Sequence, residues 1–163
     1  MSKLPEFVKT GEPARLIPVV ADTNKEQRTA SIILAAMRGV YEFRQAMLRS
    51  LGIRVGKRAT LHAWTEVTLA NEEKKKGKAS SNDRPDGLLV LDTGKKKWMA
   101  LIEAKVGNSE VGEQQLENYI KQAKQNKIDA VITITNQFVA LPSHHPLSLA
   151  QECYRLPEKN GTT

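Results

Sequence analysis

The chain has 163 residues, enough for one domain with a substantial core, and no apolar run in it approaches the length of a membrane span. Its 25 Lys+Arg against 18 Asp+Glu give a net charge of +7 and a pI near 9.6, a balance compatible with a polyanionic partner, nucleic acid first. Low aromatic content argues against a single-strand binder built mainly on base stacking. The N-terminus has no signal-peptide pattern, and the single cysteine, Cys153, excludes an internal disulfide framework and suits a reducing cytoplasm.

Residues 1–22 carry Pro5, Pro13 and Pro18 without steady periodicity and read as an extended arm, with a short strand at residues 16–20. The clearest helical pattern follows, over residues 24–51. Ile33, Met37, Tyr41, Leu48 and Leu51 recur at helical spacing, and Ile32, Ala36, Val40, Phe43 and Met47 widen the stripe. Gly39 marks a bend or a close packing point, and Gly52 is the stop. Glu26 sits at the helix start on the side of Ala30, Ile33 and Met37, where an acid can reach inward. Thr23-Asn24-Lys25-Glu26 is equally readable as a capping box, in which Glu26 bonds back to the helix start.

Residues 52–60 are basic and glycine-punctuated, a connection in which Arg54, Lys57 and Arg58 are candidate phosphate contacts. Residues 61–69 alternate as a half-buried strand, with Leu61, Ala63, Thr65, Val67 and Leu69 on one face. His62, Trp64, Glu66 and Thr68 take the other face, so Glu66 is either a further candidate carboxylate or an exposed strand residue. Residues 71–83 are polar and lysine-rich, the composition of a mobile loop. Lys74, Lys75, Lys76 and Lys78 there form either a basic flap along a nucleic-acid backbone or a solvated linker.

Residues 84–106 organise the rest. Two apolar runs, 87–91 and 98–106, flank a turn at Thr93-Gly94, the pattern of a β-hairpin. Asp86 stands at the mouth of the first run; Glu103 and Lys105 lie inside the second, sharing one face while Ile102 and Ala104 share the other. Charged side chains in a core-like strand need a partner or a metal. Asp86 and Glu103 can supply hard carboxylate oxygens for Mg²⁺ or Mn²⁺, with the Ala104 carbonyl as a further ligand and Lys105 beside the attacking water. The alternative is a turn aspartate followed by an edge-strand Glu–Lys pair.

Gly107 ends this strand, and Ser109 is a candidate cap for a helix whose stripe is Leu116, Ile120 and Ala123, with Tyr119 beside it. Gln115 and Tyr119, four apart, are neighbours on one helix face. The β-branched run at residues 128–135 is a strand, completing a βαβ unit that makes it parallel to the strand of Glu103. Asn136-Gln137 falls at its end, where α/β sheets place their sites. His144, His145 and Cys153 match no standard zinc spacing. The division expected is an arm (1–22), a core (23–140) and an extension (141–163); the stop soon after Tyr154 suggests a piece of a longer protein, or a small domain that normally has a partner.

Pro85-Asp86 followed by Glu103-Ala104-Lys105 resembles the PD-(D/E)xK motif of restriction-endonuclease-like nucleases. Gln115-Leu-Glu-Asn-Tyr119 is similar to the Gln-x-x-x-Tyr element of their RecB-like branch. The resemblance spans residues 26–137. It implies a glutamate on the first core helix, here Glu26, metal bound by Asp86 and Glu103, and substrate held by Gln115 and Tyr119. The fold expected is α/β, a central mixed sheet of four or five strands flanked by helices. The function expected is metal-dependent hydrolysis of phosphodiester bonds, in DNA first. The alternatives are a catalytically inactive nucleic-acid-binding module with the same fold, and a protein-interaction or homo-oligomerisation domain docking through the first helix.

Overall fold

The computed structural model describes residues 3–18, 24–70, 84–107 and 111–135. The chain forms strand β1 (Val8–Pro13), helices α1 (Lys25–Gly39) and α2 (Tyr41–Ser50), and strands β2 (Thr60–Leu69), β3 (Gly87–Asp92) and β4 (Lys97–Lys105). Helix α3 (Glu113–Gln125) and strand β5 (Ala130–Thr135) complete it. The five strands make one sheet in sequence order; β1 to β4 are successively antiparallel and β5 runs parallel to β4. This is the mixed α/β sheet flanked by helices that the sequence implies. A turn in which Thr93 N–H reaches the Lys96 carbonyl and Gly94 takes φ +80° closes the β3–β4 hairpin.

The middle strand explains its own composition. Leu89 and Leu91 of β3 join Leu34, Met37 and Leu48 of α1 and α2 in one core, while Leu88 and Val90 join Tyr119 and Ala123 of α3 in the other. A strand covered on both faces needs apolar residues at every position, hence the unbroken run. Strand β2 does something the alternation does not reveal. Leu61 and Ala63 face the first core, but Val67 and Leu69 join Trp64 in the second. The inversion occurs at Glu66, whose φ of +53° inserts a bulge, and the β1–β2 register shifts at the same place. Trp64, expected on the polar face, is buried because Leu88, Val90 and Tyr119 cover that face as well.

Several expected boundaries move. The long helix of residues 24–51 is two helices: Val40 is extended (φ −114°, ψ 109°), ending α1 and starting α2. A glycine followed by a β-branched residue is a poor helix interior, and the apolar spacing simply continues across the break. Leu34, not Ile33, is the large side chain of α1 that is fully buried, beside Ala30, and Ile32, Val40 and Phe43 stay exposed. The arm's strand among the described residues is at Val8–Pro13; of the expected 16–20, residues 16–18 lie in no strand, with Leu16 and Ile17 exposed, and residues 19 and 20 lie outside the described residues. As an edge strand with polar residues and a proline, β1 gives little signal. Gly112, not Ser109, is the N-cap of α3. Ser109, Lys74, Lys75, Lys76, Lys78, Asn136, Gln137, His144, His145 and Cys153 lie outside the described residues.

Gly87 opens β3 where helix and sheet approach most closely. An ideal Cβ there would stand 2.5 Å from Leu34 Cδ1 and 2.9 Å from the Trp64 carbonyl oxygen. Leu34 can yield; the β2 backbone cannot. Gly87→Ala should therefore cost about 1–3 kcal/mol in urea unfolding, and adding Leu34→Ala should not restore wild-type stability. Full recovery in the double variant would show that the side chain alone sets the limit.

Candidate functional site

One end of the sheet gathers the charged residues that its apolar strands cannot accommodate elsewhere. Glu103, near the end of β4, is 2% exposed. Its Oε1 accepts from Lys105 Nζ at 2.9 Å and from Gln115 Nε2 at 2.9 Å. Its Oε2 is buried and has no hydrogen-bond partner among the described residues. A buried carboxylate oxygen in that state carries a desolvation cost that a further ligand would offset.

Asp86 immediately precedes β3 and is braced from two sides. Its Oδ2 accepts from the Ala104 N–H at 2.8 Å, and its carbonyl accepts from the Glu66 N–H at 3.2 Å. Burial, then the charge of Glu103, pushes the Asp86 carboxyl up from 3.8 to about 7, against the Ala104 N–H and the Lys105 charge, which pull it down. Lys105 also reaches Glu26 Oε2 at 3.3 Å. Although burial works against its charged form, the hydrogen bond and charge of Glu103, then Glu26, hold the Lys105 ammonium above its ordinary range. Lys105 is thus a fixed cation at neutral pH.

Helix α3 supplies the outer support. Gln115 Nε2 donates also to the Tyr119 hydroxyl (3.0 Å), and that hydroxyl donates to the Arg84 carbonyl (3.0 Å), two residues ahead of Asp86. Tyr119 has no exposed surface, and burial, then the nearby Glu103 charge, raises its hydroxyl far above the usual phenol range. It therefore stays protonated and holds the chain leading into Asp86, whereas the sequence pattern implied contact with a substrate.

The structure thus brings Asp86, Glu103, Ala104, Lys105, Gln115, Tyr119 and Glu26 to one place. Glu26 turns inward to Lys105 instead of capping its helix: Asn24 is the N-cap of α1 and makes no side-chain capping bond. The Glu66 carboxylate faces Arg84 at 3.9 Å, and Glu66 touches Asp86 through its main-chain N–H, its charge not being among those that shift the Asp86 carboxyl. Arg54, Lys57 and Arg58 do not join the site. They precede the first residue of β2, Thr60, which pairs with Asp92 at the hairpin end, whereas Asp86 adjoins Gly87 opposite Thr65. Five strand residues separate those levels, roughly 17 Å. Arg84 is the residue that the sequence pattern did not single out; its only signal was its place before Pro85-Asp86.

Among the described residues no three His, Cys, Asp or Glu side chains converge as a ready-made metal cage. The donor set nonetheless fits a hard divalent cation. It offers two juxtaposed carboxylates, one with an orphaned oxygen, and Mg²⁺ is commonly held by one or two carboxylates, with water and phosphate oxygens completing its shell.

In metal-free protein the raised Asp86 value has a stability consequence. The folded state holds that proton more tightly than the unfolded chain, so stability falls as pH rises from 3.8 through about 7. Asp86→Asn, measured in chelator, should match wild type at about pH 4 and melt higher than wild type at about pH 8. A pH-independent difference would mean that Asp86 is not held in this environment.

Comparison with protein-family models, with curated proteins and with solved structures gives no match.

Proposed function

We propose that this chain is a metal-dependent nuclease that hydrolyses phosphodiester bonds of nucleic acid, DNA first. One observation carries the reading: the Asp86 and Glu103 carboxylates lie close enough to act on each other, with Glu103 Oε2 lacking a partner among the described residues and a lysine ammonium 2.9 Å from the other oxygen. Two features support it. The order of motif residues along the chain fits the PD-(D/E)xK resemblance, and the hairpin bearing them has a helix before and after it.

Asp86 and Glu103 would hold Mg²⁺ or Mn²⁺, with the Ala104 carbonyl and Glu26 as further ligands. Bound there, the ion would supply Lewis-acid charge to the phosphoryl oxygen and make water more acidic. The remaining steps belong to the chain. Lys105, already charged, orients the attacking water and offsets negative charge growing on the phosphate. Water oxygen bonds to phosphorus and gives up a proton to solvent, the ester bond to the leaving sugar oxygen breaks, and that oxygen takes up a proton from solvent. Gln115 keeps Glu103 oriented, and Tyr119 keeps the segment entering Asp86 in register. Lys74, Lys75, Lys76 and Lys78, just ahead of Arg84 in sequence, are the proposed backbone contacts. Arg54, Lys57 and Arg58, at the far end of the sheet, would contribute less. The single cysteine fits a reducing, cytoplasmic setting.

Purified protein should cleave DNA or RNA with Mg²⁺ or Mn²⁺ and stop on chelation. Asp86→Ala, Glu103→Ala and Lys105→Ala should each slow cleavage by on the order of 100-fold or more. Cleavage that survives Asp86→Ala or Lys105→Ala would remove these roles. Calorimetric titration with Mn²⁺ should give heat that Asp86→Ala abolishes; a module that binds nucleic acid only would give none. Neutralising the four loop lysines should flatten the salt dependence of binding equally on unrelated sequences and leave Mn²⁺ binding intact. An unchanged slope would make that stretch a linker.

A further inference from the structure

A cleft lies between β1, α1 and β2, lined in part by the neighbour of Glu26 and by the residue whose N–H meets the Asp86 carbonyl. Its volume is about 370 Å³, within the range of roughly 300–1,000 Å³ typical of small-ligand sites. The end of β1 and the turn after it form one wall, with Glu12, Pro13, Arg15 and Pro18; α1 forms another, with Gln27 and Ser31; Thr65 and Glu66 of β2 complete the lining. The walls are tied together. Ser31 Oγ accepts from the Arg15 N–H at 2.9 Å and donates to the Arg15 carbonyl at 3.0 Å, and Thr65 Oγ1 donates to the Glu12 carbonyl at 3.4 Å.

Continuity with the candidate site runs through two links. Gln27 follows Glu26, whose carboxylate meets Lys105, and Glu66 gives its N–H to the Asp86 carbonyl. A nucleotide whose phosphate lay at Asp86 and Glu103 would have the cleft within reach of its own base or a neighbouring one.

The lining chemistry narrows the occupant. Glu12 and Glu66 would repel a phosphate, so the cleft suits the base end of a nucleotide. Carboxylates accept from adjacent ring N–H and exocyclic amine groups, while an arginine donates in bidentate fashion to O6 and N7 of guanine. Guanine offers both sets at once: N1–H and the 2-amino group as donors on one edge, O6 and N7 as acceptors on the other. Adenine, cytosine and uracil lack one set or the other. Pro13 and Pro18 add apolar surface for the ring.

We propose that this cleft binds an unpaired guanine base next to the phosphate being cleaved. The edge that meets the carboxylates is the one used in Watson–Crick pairing, so the substrate class is single-stranded or locally unpaired nucleic acid carrying guanine at that position. This rests on the nuclease reading for its adjacency to the scissile phosphate, but base recognition itself needs no cleavage.

The test is binding of free guanosine, adenosine, cytidine and uridine 5′-monophosphates to the full chain in chelator, followed by the chemical shifts of the protein amides. GMP should bind at least ~10-fold more tightly than the other three and shift the amides of Gln27, Ser31 and Thr65. Glu12→Gln and Arg15→Ala, both at exposed positions and away from the carboxylate pair, should each reduce GMP to the level of the others. Equal affinity for all four, or GMP binding untouched by both variants, would overturn the proposal. GMP preference in a protein that cleaves nothing would uphold the cleft and retire the nuclease reading. Cleavage indifferent to guanine, with no GMP binding, would do the reverse.

Discussion

The burial of Glu103 is the constraint from which the rest of this site follows. A carboxylate that keeps only 2% of its surface exposed, near the end of a strand covered on both faces, has lost its water and must be solvated by the protein. Removing one partner from a buried ion pair typically costs about 3–5 kcal/mol, because the other charge is left uncompensated. Lys105 must therefore lie two residues along the same face, and Gln115 must come from a helix laid across β4. That helix can be placed so because Gly107, with φ +68°, ends β4 and turns the chain away. Even so, one oxygen of Glu103 has no hydrogen-bond partner among the described residues.

Asp86 answers to a different geometry. It precedes β3, so no ladder fixes it; β4 holds its carboxylate through Ala104, and the β2 bulge holds its carbonyl through Glu66. The bulge thus does two things at once. It inverts the faces of β2 so that Val67 and Leu69 cover the α3 side, and it frees an N–H to point across to Asp86. Gly87 then lets α1 settle against the sheet, bringing Glu26 to Lys105. A site carried by three strands and two helices is held by rigid elements.

The hairpin, the parallel βαβ pairing and the site residues of β4 and α3 were legible because period and spacing report them directly. Glu103 and Lys105 two apart on a strand must share a face, and Gln115 and Tyr119 four apart on a helix must be neighbours. The break at Val40 was hidden because the apolar spacing persists across it. The face inversion at Glu66 was hidden because alternation of residue type says nothing of a positive φ at a glutamate. Nor does spacing reveal depth: Tyr119 read as flanking its stripe, yet it is fully buried and bonded to the main chain at Arg84. The polar edge strand β1 had only Val8 to announce it, and the cleft it helps build could not be foreseen without it.

The local charge of the site opposes that of the whole chain. A net charge of +7 favours encounter with a polyanion, yet the site itself sets Asp86, Glu103 and Glu26 against the single Lys105. A phosphate approaching these carboxylates unaided meets like charge in a poorly solvated place, where such repulsion is least screened. Without a cation, Asp86 relieves part of that repulsion by keeping a proton up to about pH 7. A divalent cation would relieve it more fully and reverse the sign presented to phosphate. Proton and such a cation would compete for the same carboxylate, and the cation would gain as pH rises through the Asp86 value. Under the proposed function the cation and the nucleic acid would be coupled ligands: the net positive charge would draw the strand in, but the phosphate could settle only where the carboxylate pair had already been neutralised.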